Sequence, residues 1–116
     1  PWETARLPRN VFTLGGRWAV DRESARAVRG ARLSARVFGR SVYLVMSSRG
    51  DRPRTVRVYL DGKPIAGADA GDDVTGSAVT VRRQRLYRLV GLDGIEEHVL
   101  TLRFAPGVSG YAFTFG

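Results

Sequence analysis

The chain has 116 residues, enough for one domain with a sizeable buried core. Hydrophobic residues make up 43% of it, which excludes a disordered chain. No apolar stretch approaches the ~20 residues that a membrane helix needs, so direct membrane insertion is not expected. The absence of cysteine excludes disulfides, thiolate nucleophiles and zinc–thiolate sites from this segment.

The formal net charge is +8, and every basic residue except Lys63 is an arginine. A positive net charge favours anionic partners in general. The arginines are nevertheless spread along the chain, and their prevalence beside abundant alanine, valine and glycine is typical of a GC-rich coding sequence. The charge alone therefore does not predict nucleic-acid binding, and we do not expect it.

Apolar and polar residues alternate in several segments, which is the pattern of strands with one buried face. In chain order, this pattern and the turn residues between segments predict strands at residues 11–14, 18–20, 31–38, 42–47, 55–60, 79–81, 86–89, 99–104 and 111–115. The strongest turn signal is Asp61-Gly62, because a tight hairpin loop requires positive φ. Short strands at such spacing indicate a sandwich or a barrel, and of these we predict an all-β fold that is a two-sheet antiparallel β-sandwich.

Three other segments complete the predicted organisation. Residues 1–9 form an extended lead-in or linker, and residues 10–116 form the single sandwich domain. The one helical prediction is a short piece at residues 22–28, which Asp21 would cap and Gly30 would end. The longest connection is residues 66–77, which are rich in glycine and aspartate.

His98 is the only histidine, and two interpretations stay open for it. One is an acid, a base or a metal ligand. The other, which we favour, is a partly buried histidine that bonds to backbone at the start of a strand. By parity it shares a face with Leu100 and Leu102, and no second histidine is present to build a familiar metal triad.

The sequence contains no recognisable catalytic constellation. Ser77 and Ser109 lack the Gly-x-Ser-x-Gly spacing of a nucleophile elbow. Glu96 and Glu97 are adjacent, so on a strand they point to opposite faces and cannot act as a catalytic pair. We therefore predict no catalytic residue and do not expect this segment to be an enzyme.

Asp69, Asp72 and Asp73 lie close together in the long connection. Clustered carboxylates supply the oxygen ligands that calcium prefers, although the spacing is not that of an EF-hand loop. The alternative, which we favour, is a solvated acidic loop in a basic protein. No metal site is favoured, and calcium is the one cofactor left open.

Exposed aromatic rings are the best candidates for a binding site. Tyr59 has the opposite parity to Val56, Val58 and Leu60, which places its ring on an outward face together with Arg57. Tyr87 lies next to further arginines, and Trp2 is a weaker candidate near the N-terminus. The predicted carbohydrate- or partner-binding residues are Arg57, Tyr59, Arg85, Tyr87 and Trp2. The alternative is that these rings cover the second sheet or a neighbouring domain.

Six segments resemble, in this order, the C-terminal domain of DipZ-type proteins. They are residues 12–18 (FTLGGRW), 42–46 (VYLVM), 56–64 (VRVYLDGKP), 85–90 (RLYRLV), 98–102 (HVLTL) and 111–116 (YAFTFG). DipZ-type proteins are membrane-bound thiol–disulfide proteins of the cytochrome c biogenesis type. The resemblance implies a jelly roll similar to carbohydrate-binding modules, appended to a thioredoxin-like domain and held outside the cytoplasmic membrane by the parent's membrane domain.

The resemblance also limits the role that this segment can have. The family's redox cysteines belong to the thioredoxin-like domain and have no counterpart here. The leading hypothesis is therefore a noncatalytic, carbohydrate-binding module whose partner is a cell-envelope glycan. A second hypothesis is a protein-interaction domain that docks the adjacent thioredoxin-like domain or a client protein. A third, a glycosidase, would require two carboxylates roughly 5–10 Å apart in a cleft.

Overall fold

The structure, a computed structural model, describes the backbone of residues 3–6 and all of residues 12–116. Within these residues it contains β-strands and two 3₁₀ turns, Arg49–Asp51 and Gly67–Asp69, but no α-helix. The strands are β1 (Glu3–Arg6), β2 (Thr13–Val20), β3 (Ala25–Ser48), β4 (Arg54–Leu60), β5 (Lys63–Pro64), β6 (Ala78–Val81), β7 (Arg85–Phe104) and β8 (Val108–Phe115). The described residues accordingly include no helical segment that could span a lipid bilayer.

All strand pairs are antiparallel, in the order β1-β8-β3-β7-β4-β5, with β2 added to β3 and β6 added to β4. The long strands β3 and β7 connect two layers. The front layer contains β2, β4, β6, the first half of β3 and the second half of β7. The back layer contains β1, β8, the second half of β3 and the first half of β7. Ser109 of β8 pairs with both Arg26 and Ser47, so the two ends of β3 converge on one strand. The predicted antiparallel β-sandwich is confirmed.

The layers are joined where β3 and β7 bend together. Gly39 pairs with Glu96 and Ser41 pairs with Gly91, so residues 92–95 of β7 bulge opposite Arg40. Before this bend the buried apolar residues of β3 have odd numbers and end with Val37. After it they have even numbers, namely Val42, Leu44 and Met46. The bulge thereby keeps the apolar side chains of both halves pointing into one core.

The core lies between the layers. Tyr87, Phe113, Leu33, Leu44, Met46, Leu89, Leu100 and Leu102 are its largest fully buried side chains. Burial of one such side chain contributes about 1.5–3 kcal/mol relative to exposure. Trp18 closes the core on the β2 side, with its ring edge-on to Phe104 at a centroid distance of 5.0 Å.

Three pairs of predicted short strands are single long strands in the structure. The predicted segments 31–38 and 42–47 both belong to β3, and segments 86–89 and 99–104 both belong to β7. Segment 18–20 is likewise continuous with residues 13 and 14 of the first predicted strand, and together they form β2. The glycines between them form bulges instead of chain reversals. Gly16, for example, has φ 79° at a register shift of β2, and its backbone passes close to Gly30 of β3. Residue 11 of the first predicted strand lies outside the described residues.

The predicted helix at residues 22–28 is wrong. Asp21 does act as a cap, since its Oδ1 accepts hydrogen bonds from the backbone N–H groups of Glu23 and Ser24 at 2.9 and 2.8 Å. The chain then enters β3 at Ala25, because Ala25 and Ala27 are buried with strand periodicity and pair with β2. Strand pairing thus overrides a locally plausible helix start.

The structure also bears on the predicted hairpin turn and on the predicted N-terminal lead-in. The hairpin at Asp61-Gly62 is confirmed, with φ values of 52° and 81° and pairing of Leu60 with Lys63. Positive φ at both loop residues is the requirement of a type I′ turn. At the N-terminus, Glu3–Arg6 of the predicted lead-in pairs with β8 as an edge strand.

Candidate binding surfaces

The outward face of the front layer, called the front face below, carries two rows of polar side chains. One row, the hydroxyl row, runs across four strands through Thr13, Ser34, Thr101 and Tyr59. Ser34 Oγ and Thr101 Oγ1 lie 3.3 Å apart and share a hydrogen bond. The second row, the arginine row, contains Arg32, Arg103 and Arg57. The face therefore offers hydrogen-bonding hydroxyls beside positive charge.

Tyr59 is placed on this front face, as predicted. Its side chain is partly exposed, whereas Val58 and Leu60 on either side are buried. Arg57 is exposed on the same face. The Cζ atom of Arg103 lies 5.5 Å from the centroid of the Tyr59 ring, within cation–π range. Arg103 comes from β7, so sequence reasoning missed it; only the pairing of β7 with β4 brings it to Tyr59.

Tyr87, by contrast, is not an exposed ring, and that prediction is wrong. It is 1% exposed in the core, while Leu86 beside it is 44% exposed. A tyrosine can occupy the inward position because its hydroxyl has backbone partners. Tyr87 Oη donates to the Arg83 carbonyl at 2.8 Å and accepts from the Arg82 N–H at 3.1 Å.

Arg85 lies over the buried ring of Tyr87. Its Cζ lies 3.9 Å from the ring centroid, and its guanidinium pairs with Asp73 at 2.8 Å. An open cleft of about 360 Å³ lies here, lined by Asp51, Thr80, Arg82, Arg83, Arg85 and Tyr87. The predicted binding residues therefore do not form one site. The front layer contains Arg57 and Tyr59, whereas the back layer contains Arg85 and Tyr87. Trp2 lies outside the described residues.

Two of the three aspartates of the long connection pair with arginines of β7. Asp73 accepts from Arg85 and from the backbone N–H of Arg88, at 2.8 and 2.7 Å, and Asp72 pairs with Arg88 at 3.1 Å. The hydrogen bond from Arg85 holds the pKa of Asp73 below its usual range. Asp69 is exposed, and no group of three or more metal-ligating side chains occurs in residues 12–116. The calcium hypothesis gains no support from this arrangement.

His98 is held by two carboxylates, not by backbone. Its Nδ1 lies 2.5 Å from Asp61 Oδ2, and its Nε2 lies 2.8 Å from Glu96 Oε1. Both ring nitrogens donate in this arrangement only when the imidazole is protonated. The bonds to Asp61 and then to Glu96 accordingly raise the pKa of His98. As predicted, the side chain is partly buried and shares the parity of Leu100.

The same geometry bears on the glycosidase hypothesis. Asp61 lines an open cleft of about 430 Å³ with His98 and Asp69, and Glu96 is not part of its lining. The hydrogen bonds from His98 and from the Val99 N–H lower the pKa of Asp61. A glycosidase general acid needs a raised pKa instead. Asp61 is therefore poorly suited to act as such an acid.

An apolar corner lies where the front face meets the bend between the layers. Phe38 and Ile95 are 64% and 60% exposed, and Val99 nearby is 37% exposed. Phe38 pairs with Glu97, and Arg36 pairs with Val99, so these side chains belong to one end of the front face. Contiguous exposed apolar surface marks contact sites in many proteins, so this corner is a candidate for contact with another molecule.

Solved structures with the same architecture are found among carbohydrate esterases. The chain aligns over 99% of its length with 33% of a family two carbohydrate esterase from Cellvibrio japonicus, at a TM-score of 0.77 and 16% identity. It also matches 31% of the family two carbohydrate esterase from Clostridium thermocellum, solved in complex with cellohexaose, at a TM-score of 0.70 and 18% identity. At this identity the likeness shows the fold alone, a β-sandwich domain of the jelly-roll type.

The sequence relatives are more specific. The chain is 28% identical over 111 residues to the DipZ proteins of Mycobacterium bovis and Mycobacterium tuberculosis. This alignment covers 95% of the chain and 14% of the length of each relative. The sequence model of the thioredoxin-like C-terminal domain family matches residues 2–116. The chain therefore belongs to the thioredoxin-like C-terminal domain family, and the resemblance to the DipZ-type C-terminal domain is confirmed.

Proposed function

We propose that this domain is a noncatalytic binding module that recognises carbohydrate with its front face. The observation that carries the proposal is the partly exposed ring of Tyr59, which lies next to Thr101 of the hydroxyl row and to exposed arginines. A sugar stacks its apolar face on such a ring while neighbouring hydroxyls and guanidinium groups bond to its hydroxyls. The missing cysteine and the ion-paired carboxylates around His98 support a role without catalysis.

The parent protein that we propose follows from the DipZ relatives. Because the chain spans only 14% of their length, the rest of the parent would contain the thioredoxin-like and membrane domains. We propose that the module lies on the extracytoplasmic side, tethered through the parent's membrane domain. Its partner would then be a cell-envelope glycan, which would hold the neighbouring redox domain close to the envelope.

Affinity measurements on two variants test the carbohydrate proposal. Tyr59→Ala removes the stacking ring, and Tyr59→Phe keeps it. We expect the wild type and Tyr59→Phe to bind the same envelope polysaccharides by calorimetry, and Tyr59→Ala to bind about tenfold more weakly. Unchanged affinity of Tyr59→Ala, or no binding by the wild type to neutral or acidic glycans, would refute the proposal.

The apolar corner supports a second candidate function, docking of the thioredoxin-like domain or its client. Phe38 and Ile95 would be interface anchors, since a few side chains buried at the centre of an interface contribute most of its binding energy. A Phe38→Ser/Ile95→Ser double variant separates the two functions. It would weaken association with the thioredoxin-like domain and leave glycan binding unchanged if docking occurs at this corner.

A further inference from the structure

The arginine row brings together three residues that are distant in the sequence. Arg32 of β3 pairs in register with Arg103 of β7, and Arg103 pairs on its other side with Arg57 of β4. All three residues are exposed. Neighbouring strands lie ~4.8 Å apart, so three guanidinium-bearing side chains leave the sheet within a width of about 10 Å.

No carboxylate compensates these charges within residues 12–116. The ion pairs there involve Arg36, Arg85, Arg88 and His98, and none of them includes a member of the arginine row. Glu97, on the same face, pairs with Arg36 at 3.1 Å. Like charges directly opposite each other destabilise a sheet. A bound anion would relieve this repulsion.

The side chains of the row leave space for such an anion. The Arg32 guanidinium lies over Gly15, where a Cβ atom would come 2.7 Å from Arg32 Nη2. Arg103 leans towards Tyr59 instead, at 5.5 Å from the ring centroid. A cavity of about 190 Å³ lies beside the two arginines, lined by Gly30, Ala31, Arg32, Arg103 and Phe104. It is large enough to admit a carboxylate, sulfate or phosphate group.

We infer that the front face takes an anionic polysaccharide, whose acidic groups are held by the guanidinium groups of Arg32 and Arg103. This inference rests on the proposed carbohydrate-binding function and narrows its substrate class. The planar forks of arginine match the geometry of carboxylate, sulfate and phosphate groups. The adjoining hydroxyl row suits uncharged sugar hydroxyls, whereas duplex nucleic acid is held mainly through its phosphates. The combination favours an acidic glycan.

Two matched pairs of polymers test the inference. Polygalacturonate is compared with its methyl ester, and dextran sulfate with dextran, by calorimetry at low salt and at 0.5 M salt. We expect at least one charged polymer to bind tenfold or more tightly than its neutral counterpart, and salt to weaken that binding. Arg32→Gln and Arg103→Gln should each lower the affinity roughly three- to fivefold. Arg22→Gln, which removes an exposed charge of the turn before β3, is the matched control and should not change it.

The outcomes separate this inference from the proposal on which it rests. Equal binding of charged and neutral polymers, with Tyr59→Ala still defective, would overturn the anionic preference and leave the carbohydrate module intact. An equal loss in Arg22→Gln would show that net charge, and not the arginine row, attracts the polymer, and would also overturn it. Tighter binding of a DNA duplex than of either acidic polysaccharide would overturn it in favour of nucleic acid. Binding of no polymer would refute both proposals.

Discussion

Asp61 and His98 join the β4–β5 hairpin to β7 through a contact of 2.5 Å between Asp61 Oδ2 and His98 Nδ1. The Asp61 carboxylate also accepts a hydrogen bond from the Val99 N–H at 2.8 Å through its other oxygen. Asp61 thus combines two roles, since it forms the tight turn with φ 52° and holds the histidine of the neighbouring strand. We therefore expect the contribution of His98 to the stability of the fold to depend on pH.

We predict that His98 stabilises the fold more at pH 6 than at pH 9. Its carboxylate partners raise the folded pKa, so the stabilisation is complete below the unfolded value of about 6.5 and is lost as pH rises through the folded pKa. Urea unfolding of the wild type and of His98→Gln measures the effect. The difference in their free energies of unfolding should shrink between pH 6 and pH 9; a constant or growing difference would contradict the assignment.

The stabilising effect of the Asp61–His98 pair should also weaken at low pH, because Asp61 then becomes protonated. Its pKa is lowered by His98, so its contribution is present above the unfolded value of about 3.8 and is lost as pH falls through the folded pKa. We predict that Asp61→Asn lowers stability at pH 6 and that this loss becomes smaller towards pH 2. An equal loss at both pH values would show that the turn conformation alone accounts for the effect.

We predict that the hydroxyl of Tyr87 stabilises the core. Tyr87→Phe leaves the buried ring in place but removes the partner of the Arg83 carbonyl and of the Arg82 N–H. Loss of two hydrogen bonds at a buried site should cost about 1–3 kcal/mol in urea unfolding. Tyr59→Phe, at a partly exposed ring, is the control and should change stability by less than ~0.5 kcal/mol. Similar costs for both variants would argue against the hydrogen-bonded role of Tyr87.

We predict that alanine is far less tolerated at Gly16 than at Gly62, although both have positive φ, 79° and 81°. A Cβ atom at Gly16 would overlap the Gly30 carbonyl, whereas one at Gly62 would meet open space. Gly62→Ala should therefore cost only the conformational penalty of about 1–2 kcal/mol. Gly16→Ala should cost more, because the paired bulges of β2 and β3 must also separate. Equal denaturation midpoints for the two variants would contradict this account of the bulge.

These predictions differ in how much of their basis is visible in the sequence. Asp61-Gly62 carries its turn chemistry in two adjacent residues, so local rules predict the hairpin correctly. Gly16 and Gly39 carry an ambiguous signal, because glycine permits either a reversal of the chain or a bulge in a continuous strand. Only the pairing partner decides between the two, which is why β3 is predicted as two strands and observed as one.

The residues of the candidate binding surface also differ in how far the sequence predicts their positions. The alternation around Tyr59 is sufficient to place its ring outward, and the structure confirms this. The position of Tyr87 depends on partners for its hydroxyl at Arg82 and Arg83, which no periodicity reveals. The arginine row requires the register of three strands, so its members appear in the sequence as scattered positive charge.

The most direct test of the carbohydrate proposal is to map the binding surface by NMR during titration with neutral and acidic envelope polysaccharides. We expect the perturbed amide signals to cluster on the front face, at Arg57, Tyr59, Thr101 and Arg103, with saturation at a single affinity. Perturbations centred on the back layer, or a spectrum unchanged by every glycan, would contradict the assignment of the front face as a carbohydrate-binding surface.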